Sequence, residues 1–185
     1  HTIDRLTSIG ISGSSAAFSV VGENYTILNS TGQSASPFGG AGMILVLNGS
    51  LISRTSGVGA PGYDGFSLTS SANNTFANNQ GSGDKGMRAQ NVNQTIFANS
   101  TFIGNSYGIW FDLPSNNDVI NNTAIGGTNV GFYIADYGNF NRFTDNVGVY
   151  SGVSICGGCA GFRAILGYSN NYTNNSAIAA NGNAF

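Results

Sequence analysis

One plan is repeated along this chain: a glycine, an apolar-x-apolar triplet and then Asn-rich clusters. Aligned on the glycine, the copies read "GMILVLNGSLI" from Gly42, "GFSLTSSANNTFANN" from Gly65, "GMRAQNVNQTIFANS" from Gly86, "GIWFDLPSNNDVINN" from Gly108, "GFYIADYGNFNRFTDN" from Gly131 and "GFRAILGYSNNYTNN" from Gly161. The intervals are 23, 21, 22, 23 and 30 residues, and a degenerate copy, "AFSVVGENYTILNS", begins at Ala17, 25 residues before Gly42. A period of that length points to stacked units, each unable to bury its own apolar face alone.

Helical repeats are longer and need periodic Leu and Ala, and leucine-rich repeats need more than the eight leucines of this chain. Within each copy apolar residues alternate instead, as in Phe66 and Leu68, Met87 and Ala89, Ile109 and Phe111, Phe132 and Ile134, Phe162 and Ala164. Alternation means short strands with one face inward. A second apolar point is read at Phe76, Ile96, Val119, Phe143 and Tyr172, and a third at Ile103, Ile125 and Val149. Three short strands separated by Gly/Asn turns make one coil of a parallel β-helix. Its corner asparagines, Asn78, Asn121 and Asp145 or Asn79, Asn122 and Asn146, are expected to stack as ladders, with glycine at the tightest bend.

Composition agrees with such a solenoid. The 185 residues suffice for one domain, and the 25 Asn, 22 Ser, 13 Thr and 28 Gly favour strands and turns over helices. Only 8% of residues are charged, against about 25% in ordinary soluble domains, whereas 41% are hydrophobic, too many for a disordered chain. The net charge of −2 and six scattered basic residues give no footprint for nucleic acid. The longest apolar run, Met43 to Leu47, is far too short to span a membrane. The sequence begins at His1, which fits either a removed signal peptide or a trimmed record.

The phrase Gly-apolar-x-apolar followed by "SxNN" and "xNN" resembles the right-handed parallel β-helix repeat shared by NosD-like periplasmic proteins, polysaccharide lyases and hydrolases, and many bacterial and archaeal surface proteins. The resemblance covers Ala17 to Phe185. It implies an all-β, right-handed parallel β-helix of about seven coils with roughly 22 residues each. The whole chain, 1–185, is then one domain, with an N-terminal edge segment at 1–16, coils at 17–185 and an enlarged loop at 147–160. The scaffold carries unrelated activities, so function has to be argued from particular residues.

In enzymes similar to pectate lyases, aspartates bind calcium and a Lys or Arg is the base; hydrolases of this fold use close carboxylates. The acids here are Asp4, Glu23, Asp64, Asp84, Asp112, Asp118, Asp136 and Asp145. Asp112 and Asp136 are the best-placed pair, but Asp112 aligns with Ala135, which puts Asp136 one step on, in a turn. The expectation is no catalytic pair. A NosD-like copper role would need ligands from His1, Met43, Met87, Cys156 and Cys159, and these are dispersed along the axis. Neither a metal nor a cofactor is expected.

Cys156 and Cys159 in "SICGGCA" sit in the enlarged loop and are read as a local disulfide. Nine sequons, at Asn24, Asn29, Asn48, Asn73, Asn93, Asn99, Asn121, Asn171 and Asn174, suggest N-glycans and an extracellular or cell-surface location; a repeated "NNT" phrase also generates sequons as a by-product. One outward column, Ile44, Ser67, Arg88, Trp110, Tyr133, Arg163, carries an Arg-Trp-Tyr-Arg ribbon suited to protein contact or to a sugar ring. Ice binding needs flat Thr ladders, and Thr75, Thr95 and Thr123 drift in register. No capping helix follows Phe185, so the ends are expected to be completed by neighbouring copies, unless the chain is a fragment. The function expected from these features is non-enzymatic: the subunit of an extracellular filament or surface layer, self-associating head to tail. A carbohydrate-active lyase or hydrolase and a sugar-binding adhesin are the alternatives.

Overall fold

The computed structural model describes residues 1–11, 16–35, 39–112, 114–135, 138–152, 158–165 and 168–180. All regular structure among them is β, and every strand pairing is parallel. The chain winds as a solenoid of about six turns with about 24 residues per turn, close to the expected seven coils of 22.

Three stacks of strands form its sides. The flank sheet has eight strands in the order Thr2–Asp4, Thr26–Leu28, Leu51–Ser53, Thr75–Ala77, Ile96–Ala98, Asp118–Ile120, Arg142–Thr144 and Asn171–Thr173. The second stack runs through Thr7–Gly10, Thr31–Ser34, Ser56–Val58, Gln80–Gln90, Thr101–Asp112, Thr123–Gly126, Val147–Tyr150 and Ser176–Ala179. The third, the ribbon sheet, holds Phe18–Glu23, Met43–Asn48, Phe66–Thr69, Val130–Ala135 and Ala160–Ala164. Gln80–Gln90 and Thr101–Asp112 turn the corner without a break, with a register shift between Gly83 and Lys85, and so join the second stack and the ribbon sheet. The segment 1–16 adds the outermost strands of two stacks, Thr2 pairing with Thr26 and Thr7 with Thr31. The loop expected over 147–160 opens with a strand, Val147–Tyr150, paired to Thr123–Gly126.

Like residues stack on like inside. Phe18, Met43, Phe66, Met87, Ile109, Phe132 and Phe162 form one buried column along the ribbon sheet. Ile27, Ile52, Phe76, Phe97, Val119 and Phe143 form a second column along the flank sheet. Rings facing each other across the core meet edge to face, as Phe66 does with Phe76 at 5.0 Å and Phe97 with Phe111 at 5.1 Å, whereas Phe132 and Phe162 stack within one column.

Four expected core positions prove to point outward. Phe97 is the buried residue of its strand while Ile96 is exposed, and in the second stack Phe102, Ala124 and Gly148 point inward while Ile103 is exposed and Ile125 and Val149 are half-buried. A strand of three or four residues offers too little alternation to fix its face, and a slip of one residue inverts it. The inward positions of the second stack are mostly small, Gly32, Gly57, Gly81 and Gly148, because the backbone at the repeat glycine packs directly against them, with a ring behind it: a Cβ on Gly81 would lie 2.3 Å from Gly86 O and 2.9 Å from Phe66 Cδ2.

The glycine that opens each phrase serves space rather than torsion. At Gly65 a Cβ would meet Ser82 N at 2.5 Å and Gly86 O at 2.7 Å, and at Gly108 it would meet Ile125 N at 2.4 Å. At this corner, backbone packs directly on backbone. The left-handed bends fall mainly on asparagines elsewhere in the coil: Asn78, Asn99 and Asn121, and Asp145 at the equivalent position, have φ of 51–58°.

Each of these four is followed by a buried ladder residue. Thr55, Asn79, Ser100, Asn122, Asn146 and Asn175 form one ladder, in which each backbone N–H donates to the side-chain oxygen of the next coil at 2.9–3.0 Å. The amides of Asn79, Asn122 and Asn146 donate back to Ile52, Phe97 and Val119 carbonyls. A second ladder through Asn74, Thr95, Asn117 and Asn141 does the same at the other end of the flank sheet. Buried corner backbone is thereby satisfied without charge.

Candidate functional site

The predicted ribbon is a true column. Ile44 pairs with Ser67, Ser67 with Arg88, Arg88 with Trp110, Trp110 with Tyr133, and Tyr133 with Arg163. All six point outward between inward neighbours; Arg88, Trp110 and Tyr133 are half-buried and Arg163 is exposed. Tyr107, which the repeat pattern did not single out, completes the patch. It enters from the continuous corner of Thr101–Asp112, placing its ring 4.7 Å from Trp110 and 5.3 Å from Tyr133, while Trp110 and Tyr133 are 5.2 Å apart. Interplanar angles of 61°, 41° and 84° make this an edge-to-face cluster rather than a flat stacking platform. Asn129 Nδ2 donates to the Tyr107 hydroxyl at 2.8 Å, and burial raises the Tyr107 pKa above its ordinary value.

Cations flank the rings. Lys85 Nζ lies 5.2 Å from the Trp110 ring centre and the Arg163 guanidinium 5.8 Å from that of Tyr133. Lys85 also bridges two carboxylates, at 3.4 Å from Asp64 Oδ1 and 3.1 Å from Asp84 Oδ2, and Asp84 accepts a 2.6 Å hydrogen bond from Ser106 Oγ. Burial pushes Asp64 above the usual carboxylate range even though the Lys85 charge pulls it down. Burial acts on Asp84 in the same direction, but hydrogen bonds from Ser106 and Lys85 and the Lys85 charge outweigh it, and its pKa is lowered. The acids that meet the ribbon are thus Asp64 and Asp84. They precede the repeat glycine, where inspection of the strands alone does not find them.

Two donors in the patch, Arg88 Nε and Trp110 Nε1, are buried and make no hydrogen bond among the described residues, and their residues are neighbours in register. A buried N–H left unpaired is unfavourable by roughly 1–3 kcal/mol, and an outside acceptor reaches these two only if side chains of the patch shift.

The other candidates are not brought together. Asp112 is paired with Ala135, and Asp136 lies outside the described residues. Met43 and Met87 are core residues, and the His1 amine donates to Asn24 O at 3.0 Å. Among the described residues, no group of three or more His, Cys, Asp or Glu side chains is placed to hold a metal ion, and no helix is long and apolar enough to cross a membrane. Cys159 is fully buried, whereas Cys156 and Phe185 lie outside the described residues. Thr75 belongs to the flank sheet, Thr95 is buried at a corner, and Thr123 belongs to the second stack, so the three form no ladder. All nine sequon asparagines are exposed.

The comparison with curated proteins and that with solved structures return no match. The sequence profile described as "Right handed beta helix region" matches residues 8–185, nearly the full length. The chain therefore belongs to the right-handed β-helix family.

Proposed function

We propose that the protein is a non-enzymatic structural solenoid of the cell exterior, glycosylated and stapled by a Cys156–Cys159 disulfide, that builds a filament or surface layer through protein contacts at the ribbon. One observation carries this reading: Tyr107, Trp110, Tyr133, Arg88 and Arg163 gather at one outward patch of the ribbon sheet, with the three rings in mutual contact. Trp, Tyr and Arg are the residues that carry the centres of protein interfaces. The edge-to-face rings suit an irregular protein surface better than the flat face of a sugar. Negative-stain microscopy and light scattering of the full chain test it. Ordered assemblies that dissolve on Trp110→Ala are expected, and monodisperse short rods at every concentration would overturn it.

A second reading, a carbohydrate-active hydrolase or lyase, is favoured by Asp64 and Asp84, whose environments push their pKa values apart beside the aromatic cluster. Reducing-end and unsaturated-product assays over a polysaccharide panel, with Asp84→Asn as the control, decide it; no product from any polymer removes it.

A further inference from the structure

The nine sequons occupy one side of the solenoid. Asn24, Asn48, Asn73 and Asn93 lie at the corner between the ribbon sheet and the flank sheet, where Glu23 pairs with Asn48 and bridges link Asn48, Ala72 and Asn93. Asn29, Asn99, Asn121 and Asn174 are left-handed corner residues between the flank sheet and the second stack. Asn171 lies in the flank sheet itself, paired with Arg142. The third corner, where the second stack turns into the ribbon sheet and where Asp84, Lys85 and Tyr107 stand, bears none. Asparagine is not lacking there: Asn105 is exposed and Asn129 half-exposed, but neither has Ser or Thr two residues on.

We propose that N-glycans clothe the flank sheet along both its borders and leave the opposite corner, with its aromatic and charged cluster, as the bare contact edge. Glycosylation joins each asparagine Nδ2 to the anomeric carbon of a lipid-linked oligosaccharide diphosphate; the amide loses a proton and the lipid diphosphate leaves. The flank sheet also carries apolar side chains that such a coat would cover. Leu51 and Ile96 are 37% and 42% exposed on its outer face, between the two sequon lines, and a polar glycan coat shields such residues from association. Adjacent coils lie about 4.7–4.9 Å apart, so occupied sites one coil apart, such as Asn99 and Asn121, crowd one another and extend the sugars outward. The proposal shares the extracellular setting of the structural reading but not its assembly.

The test is to secrete the full chain from a eukaryotic host, map occupied sites by peptide mass spectrometry, and compare hydroxyl-radical footprints before and after enzymatic removal of the glycans. Occupied sites at both borders, with Leu51 and Ile96 protected severalfold and Tyr107, Trp110 and Tyr133 labelled equally in both forms, are expected. An unoccupied chain, or equal protection of the aromatic cluster, would overturn the proposal. Failure of the unglycosylated chain to assemble would count against the structural reading alone, since the footprint reads the glycan side independently.

Discussion

The side-chain oxygen of Asn146 accepts two hydrogen bonds from Asn122, one from the backbone N at 2.9 Å and one from Nδ2 at 3.2 Å, and Asn146 is fully buried. One amide thus joins two coils while its own Nδ2 donates to Val119 O at 2.8 Å, satisfying a carbonyl of the coil before. Asn146→Ala leaves those buried groups unpaired, at about 1–3 kcal/mol for each group. A loss of about 2–5 kcal/mol in equilibrium urea unfolding is expected, with Asn121→Ala, at the neighbouring exposed corner, costing less, about 1–2 kcal/mol, from its left-handed backbone alone.

Substituting the repeat glycine tests whether that corner needs space or torsion. A Cβ at Gly108 would lie 2.4 Å from Ile125 N and 2.8 Å from Gly131 O, both rigid backbone atoms. Gly108→Ala is therefore expected to destabilise by roughly 3 kcal/mol or more, beyond the usual range for overpacking. Gly62→Ala, at φ 81° with nothing within 4 Å of the added carbon, is strained only in its backbone and is expected to cost about 1–2 kcal/mol. Equal effects in thermal melts would refute the steric account.

The two carboxylates on Lys85 predict opposite pH effects. Asp84 has a lowered pKa, so its contribution is present above the unfolded carboxylate value and is lost as pH falls through the folded one. Asp64 has a raised pKa, so folding favours its protonated form: its contribution is present below the unfolded value and is lost as pH rises through the folded one. At neutral pH, Asp64→Asn is expected to raise the melting temperature and Asp84→Asn to lower it. Across acid pH, Asp84→Asn should also flatten the fall in stability. Melts of both variants from pH 3 to pH 7 check the signs.

Core rings that bridge two sheets should be costly to truncate. Phe111 packs against Phe97 at 5.1 Å and Phe143 at 6.2 Å and is fully buried. Phe111→Ala is expected to lose about 3–5 kcal/mol in urea unfolding. Trp110→Ala, its outward neighbour, should leave the unfolding midpoint within about 1 kcal/mol of the parent, because its ring covers a surface rather than fills the core.

Much of this was legible because a solenoid multiplies each local rule. The spacing of glycines set the period, the alternation Ile109-Trp110-Phe111 set which residue faces out, and the adjacent pair Asn121-Asn122 set a left-handed corner beside a ladder rung. The ribbon Arg88, Trp110, Tyr133, Arg163 followed from alignment alone, because parallel stacking keeps equal positions adjacent. Ile96, Ile103, Ile125 and Val149 point outward against expectation because their strands are too short to fix a face, and because apolar type alone does not say that glycine at 57, 81 and 148 makes room for the backbone of the repeat glycine on the ribbon side.

The sequence by itself determined the period, the parallel coil and the chemistry of its corners, since each depends on residues a fixed number of positions apart. Tertiary structure decided what meets at the third corner. Asp64, Asp84, Lys85 and Tyr107 sit just before the repeat glycine, and nothing in their spacing signals a site. They become one cluster with Trp110 only because two strands run through that corner without a break, and because stacking brings residues about 22 positions apart within ion-pair and ring-contact distance.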